Sequence, residues 1–177
     1  MPATFRGRLQ VALILATTLV AITFTTVLAA PSDLSIAKGA TARFNSVEQA
    51  DAAGYGLPPA GPLHECIASF DNTGAMGFHY INGGLLDGVL DPAAPEALVY
   101  AADKNGKLKL VALEYVIFDA DWHSTDAPML FGQMFMHTGS PNRYEIPAFW
   151  ALHVWLYENN PSPNGGMFAS FNPNVSC

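Results

Sequence analysis

Charge is scarce in this chain, and cysteine scarcer still. Only 13% of the 177 residues are Asp, Glu, Lys or Arg, and just eight of them are basic against fifteen acids. No cluster of Lys and Arg exists, so the electrostatic footprint for nucleic acid or an anionic lipid surface is missing and no nucleic-acid partner is expected. With two cysteines and no Cys-x-x-Cys, a thiol redox centre is excluded. The chain also has no P-loop, no dinucleotide fingerprint, no His-Glu-x-x-His, no EF-hand loop and no Gly-x-Ser-x-Gly elbow. Internal repeats, heptads and low-complexity tracts are missing too, which leaves an ordinary globular domain.

The one long apolar run is at the start. Residues 1–10 carry Arg6 and Arg8 and no acid, and the 18 residues Val11–Leu28 are uncharged; Ala29, Ala30 and Pro31 follow. This is the layout of a signal peptide over residues 1–29, cut after Ala29 or Ala30. The alternative is an N-terminal membrane anchor, for which 18 residues is the lower edge of a bilayer span. Either way the rest is expected to be secreted or extracytoplasmic, with no stable membrane insertion after cleavage. Removing Met1–Ala29 takes two bases and no acids, leaving six bases, fifteen acids and a net charge of −9. Residues 30–43 read as an extended or flexible lead-in, and residues 44–177 as one globular domain.

An even cysteine pair in an exported chain reads as a disulfide, so Cys66 is expected to bridge to Cys177; the alternatives are two free thiols or pairing between chains. A loop of about 110 residues closed this way is worth roughly 4–5 kcal/mol on the chain-entropy estimate. Asn174-Val175-Ser176 is an N-glycosylation sequon whose use depends on the host.

Local patterns predict an α+β fold, mainly an antiparallel sheet (a small barrel or sandwich is the competitor) with one or two short helices. A helix is expected within Ala42–Tyr55, capped by Asn45 or Ser46. Met76–Ile81 reads as a strand. Glu96–Ala101 and Lys107–Phe118 read as a hairpin turning at Asn105-Gly106. Met129–Met136 fits helix or strand, and Phe149–Tyr157 reads as a strand.

Strand parity then points to one polar constellation. Glu114 is the only charge in the row Leu108, Leu110, Ala112, Glu114, Val116 and Phe118. His153 shares a face with Phe149, Ala151, Trp155 and Tyr157, and His79 points with Gly77 and Ile81. Neighbouring strands would bring His79, Glu114 and His153 together, with Glu96 as an outer fourth member. Two imidazoles and a carboxylate suit a divalent metal (zinc, iron or copper) or, without metal, a small-molecule site. The competing reading is a buried hydrogen-bonded network in a non-enzymatic envelope or extracellular protein. His64 beside the Pro-rich loop, His123 in the acidic loop 119–126 (a conceivable calcium ligand set) and His137 are weaker candidates and read as surface histidines or loop residues.

The succession GMGFHYIN, LLDG, LDPAAPEALVYAADKNGKLKLVALEYVI, LFGQMF and LHVWLYENNPSPNGGMFASFNPNVSC resembles a family of small secreted bacterial proteins without an assigned activity. The resemblance covers roughly Ala42–Cys177. It implies that the Gly-x-His-Tyr, Pro-Glu-Ala-Leu, Val-Glu-Tyr, Leu-His-x-Trp and Asn-Pro-x-Val-x-Cys segments form a common framework, here carrying His79, Glu96, Glu114, His153 and Cys177. No cupin signature accompanies them, so no oxygenase chemistry is implied.

Overall fold

Ser32 opens the fold. In the computed structural model, which describes Met1 and residues 32–71 and 73–177, its hydroxyl accepts the Ser35 N–H and caps helix α1 (Asp33–Thr41). The expected signal peptide or anchor, residues 1–29, lies outside the described residues save Met1. Among the described residues no helix is long and apolar enough to cross a membrane.

Helix α1 corrects the expectation of a flexible segment over residues 30–43. Asp33 in its first turn and Lys38 in its last complement the helix dipole. Ala37 and Thr41 are buried, and the Thr41 hydroxyl lies 2.8 Å from the Tyr157 hydroxyl, 116 residues away. Periodicity could not show this, because the helix buries two small side chains and not an apolar stripe. A 3-10 turn (Ala42–Asn45) follows, and Ser46 caps the short α2 (Val47–Ala52).

The fold is α+β, built on a curled antiparallel sheet. Its strands are β1 (Ile67–Ala68), β2 (Ala75–Ile81), β3 (Ala97–Ala102), β4 (Leu108–Phe118), β7 (Met136–Thr138) and β8 (Phe149–Val154), in the order β1-β2-β3-β4-β8-β7. The ambiguous segment Met129–Met136 resolves as a tiny hairpin, β5 (Met129–Leu130) and β6 (Gln133–Met134), leading into β7. Phe131 and Gly132 both take positive φ in its two-residue loop, the conformation a tight hairpin of matching twist requires. In the β3–β4 turn, Asp103 accepts the Asn105 and Lys107 N–H groups, and Gly106 supplies the left-handed residue.

The pairing of β3 with β4 slips between Val99 and Tyr100: Val99 faces Ala112 and Tyr100 faces Leu110, which leaves Val111 as an extra residue. The slip resets the faces. Leu108 and Leu110 pack with Leu113 and Tyr115, not on the Glu114 face that strict alternation predicts. The bulged Val111 carbonyl is not wasted, since it accepts the N–H groups of Tyr157 and Glu158. The same contact ends β8 at Val154, short of the expected Tyr157, and turns Tyr157 toward α1.

One face of the sheet carries the main core: Tyr80, Leu98, Tyr100, Leu113, Tyr115, Leu152 and Val154 pack beneath the N-terminal helices. The opposite face holds a smaller cluster around Val99, Ala112, Trp155 and Val175. The tail is stitched to that side. Asn172 exchanges backbone hydrogen bonds with Ala75, and Cys177 closes a disulfide with Cys66 across 111 residues.

Candidate functional site

Register decides how the three polar residues meet. Glu114 on β4 lies directly opposite His153 on β8 and, across its other edge, opposite Ala97 on β3. His79 on β2 pairs with Val99, one same-face step along β3 from Ala97. Neighbouring strands are separated by about 4.8 Å, so His79 must span β3 to reach Glu114. It can do so because Ala97 raises only a methyl group between them. His79 Nε2 stands 3.1 Å from Glu114 Oε2, and His153 Nδ1 3.5 Å from Glu114 Oε1. Gly77 extends the same logic. Its backbone approaches the Tyr100 carbonyl so closely that a Cβ there would clash, and it takes φ +116°, so no other residue would let β2 lie in this position.

Both imidazoles are buried, at 2% and 4% exposure, and pack edge to face at 5.7 Å, with Trp155 against His153 at 5.0 Å. His79 Nε2 makes an ion-pair contact with Glu114 at 3.1 Å. His79 Nδ1 and both nitrogens of His153 have no hydrogen-bond partner among the described residues; the 3.5 Å approach of His153 to Glu114 is an ion-pair distance without hydrogen-bond geometry. Burial by itself would raise the Glu114 carboxyl, but the facing His79 and His153 outweigh it and hold the carboxyl well below its usual range. Burial lowers the His153 imidazole and favours its neutral form, against the pull of Glu114. An ionised carboxylate beside neutral imidazole is the protonation state that metal ligation needs.

One donor atom from each of His79, Glu114 and His153 falls within 4.8 Å of the others. In a tetrahedral site with bonds near 2.0–2.1 Å the ligand atoms are about 3.3 Å apart. The two contacts to Glu114 are near that value, His79 to Oε2 at 3.1 Å and His153 to Oε1 at 3.5 Å. The cluster is therefore able to coordinate a metal ion.

The cluster sits in the wall of a cavity of about 540 Å³. Ile81, Val116, Ala151 and Phe149 of the sheet form one side; Met134, Met136, Phe168 and Phe171 form another; Phe70, Arg143 and Tyr144 also line it. That volume falls in the range of small-molecule sites. None of the cavity residues contributed by loops is anticipated by the sequence, because they come from segments with no periodicity.

The remaining candidates fall elsewhere. Glu96 lies outside the three-residue cluster. Its carboxylate accepts the Val116 N–H at 2.9 Å, in place of a backbone partner where β3 has ended, and burial pushes its carboxyl up to about 8. It lines the cavity edge but acts as a strand cap. His64 bonds the Pro58 carbonyl at the surface, and His137 pairs with Asp119 at 2.8 Å and packs on Trp150. His123 is exposed in its loop, where the Trp122 indole donates to the Asp126 carbonyl. Asn174 is exposed, and its Nδ2 donates to the Asn159 carbonyl.

No family model, curated protein or solved structure matches this chain. The reading of the site rests on its own geometry.

Proposed function

We propose that this is an exported domain that binds one divalent transition metal, zinc, iron or copper, through His79, Glu114 and His153. The observation that carries the reading is the set of buried imidazole nitrogens without partners around an ionised carboxylate. A buried polar group left unpaired costs roughly 1–3 kcal/mol, and a network kept only for stability would have its partners. The one feature on the side of a purely structural network is the 3.1 Å contact between His79 and Glu114. That contact leaves His79 Nδ1 and both nitrogens of His153 without partners among the described residues.

Two imidazoles and one carboxylate leave coordination positions open, and a metal held there would polarise an oxygen ligand or lower the pKa of bound water. The histidines would ligate. Glu114, with two oxygens between the rings, would ligate through one and retain the other as an acceptor or base. Small molecules would reach this centre through the apolar cavity.

The test is elemental analysis by mass spectrometry of protein purified without a His-tag or chelator, beside a His79→Ala/His153→Ala double variant. Near-stoichiometric zinc, iron or copper in the wild type, lost in a folded variant, is the expected result. Added metal should also raise the thermal midpoint, because at a hundredfold excess over Kd binding stabilises by about 2.7 kcal/mol. A wild type that takes up none of the three metals on dialysis would sink the proposal.

A further inference from the structure

Arg143 is the single lysine or arginine lining the cavity among the described residues, and it is exposed. Its guanidinium carbon lies 4.2 Å from the centre of the Phe70 ring and 5.8 Å from that of Tyr144. Stacking of this kind orients the guanidinium plane and leaves its N–H fork free for a bidentate acceptor. No acid pairs with it: the ion pairs of the described residues join His79 and His153 to Glu114, Lys109 to Asp103 and His137 to Asp119. Among the described residues no side-chain or backbone acceptor hydrogen-bonds it either.

The surroundings show which ligand would answer it. Phe70 is 85% exposed, and Met134 and Met136 are 65% and 62% exposed, although all three line the cavity. These apolar surfaces would be covered by an apolar body lying in the cavity. Among the described residues the two acids lining the cavity, Glu96 and Glu114, come from the sheet side, whereas Arg143 lies between β7 and β8 with its guanidinium stacked on Phe70, and it is the group that would draw an anion.

We infer that the cavity binds an amphiphilic monocarboxylate, with its apolar body against Phe70, Met134 and Met136 and its carboxylate on the Arg143 guanidinium. This goes beyond the metal reading and does not depend on it, since none of the three proposed metal ligands takes part in the recognition.

The experiment is calorimetric titration of the full chain with decanoate, decan-1-ol and acetate, on chelator-treated and on zinc-dialysed protein. Decanoate is expected to bind at least roughly tenfold more tightly than decan-1-ol, as a charge-assisted bidentate contact provides, and acetate not measurably. Arg143→Gln, a surface change that leaves the fold intact by circular dichroism, should erase the preference for decanoate while decan-1-ol binds as before. Arg143→Lys should restore part of it. Failure of decanoate to bind, equal affinity for decanoate and decan-1-ol, acetate binding as tightly as decanoate, or a preference that survives Arg143→Gln would each overturn the inference. Zinc uptake is read separately in the same samples, so loss of the metal reading and loss of this one give different results.

Discussion

The two faces of the sheet treat buried polar groups in opposite ways. On the face beneath the helices three tyrosine hydroxyls are answered by backbone carbonyls. Tyr100 donates to Phe44, Tyr115 to Pro92, and nearby Tyr55 to Pro95, at 2.5–2.8 Å. On the other face Trp155 donates its indole N–H to Ala169, but the adjacent His153 has no partner for either nitrogen. Tyr100, Tyr115, His79 and His153 are all buried, and only the first two are answered. The difference separates polar groups that specify the fold from groups held ready for something the chain does not itself contain.

The largest expected effect tests the answered side. Glu96 is 1% exposed, and burial raises its carboxyl from an ordinary value near 4.5 to about 8. A carboxyl raised in the folded state stabilises fully below its unfolded pKa, and that stability is lost as pH rises through the folded value. Wild-type stability should therefore fall between pH 4.5 and 8. The fall is on the order of a few kcal/mol, at about 1.4 kcal/mol for each tenfold difference in proton affinity between the folded and unfolded chains. Glu96→Gln keeps an acceptor for the Val116 N–H and cannot ionise. Its denaturation midpoint should equal that of the wild type in acid, exceed it above pH 8, and lack this slope. A wild-type slope retained in the variant would show that Glu96 is not the group responsible.

The next effect comes from the unanswered side. Replacing His79, Glu114 and His153 together by Leu should leave the stability of metal-free protein unchanged or raise it by up to about 4 kcal/mol, as exchanging buried charged groups for packed hydrocarbon often does. The same change should abolish metal uptake. Chemical denaturation and elemental analysis on one preparation check both. A large loss of stability would move the cluster into the structural class, alongside the tyrosines.

How much of this contrast can be read from the chain depends on how local its causes are. Glu114 and His153 are legible because alternation holds from Ala112 onward in β4 and throughout β8, and both strands are long enough to show it. Leu108 and Leu110 defeat alternation because the bulge at Val111 carries no glycine or proline to announce it. The pairing of Cys66 with Cys177 follows from there being two cysteines and an expected export signal, and they are bridged. Helix α1 escapes periodicity because it is anchored by Ala37 and Thr41, with Ile36 left at the surface. Glu96 resembles an outer ligand because alternation says nothing about where a strand stops pairing. The cavity is invisible in the sequence: Phe70, Met134 and Arg143 come from three separate segments and converge only through the tertiary fold.

The smallest effect sharpens the comparison most, because it places matched deletions on the two faces. Tyr100→Phe removes one hydroxyl and leaves the buried Phe44 carbonyl without its donor. It should cost about 1 kcal/mol, the net worth of a hydrogen bond together with part of the penalty for an unpaired acceptor. Metal content should be unchanged. His153→Phe removes two nitrogens but breaks no hydrogen bond, since neither nitrogen has one, and Phe fits a ring slot beside Trp155 and opposite Glu114. Its penalty is limited to the contact with Glu114 at 3.5 Å and to a modest increase in volume. Metal-free stability should then change by less than about 1.5 kcal/mol, the usual limit for a shape-conserving swap, while metal uptake disappears. The two variants should thus invert each other's readouts: Tyr100→Phe weakens the fold and keeps the metal, whereas His153→Phe keeps the fold and loses it. If His153→Phe instead unfolds the domain, the imidazole is holding the sheet together, and the distinction between the two faces fails at its central residue.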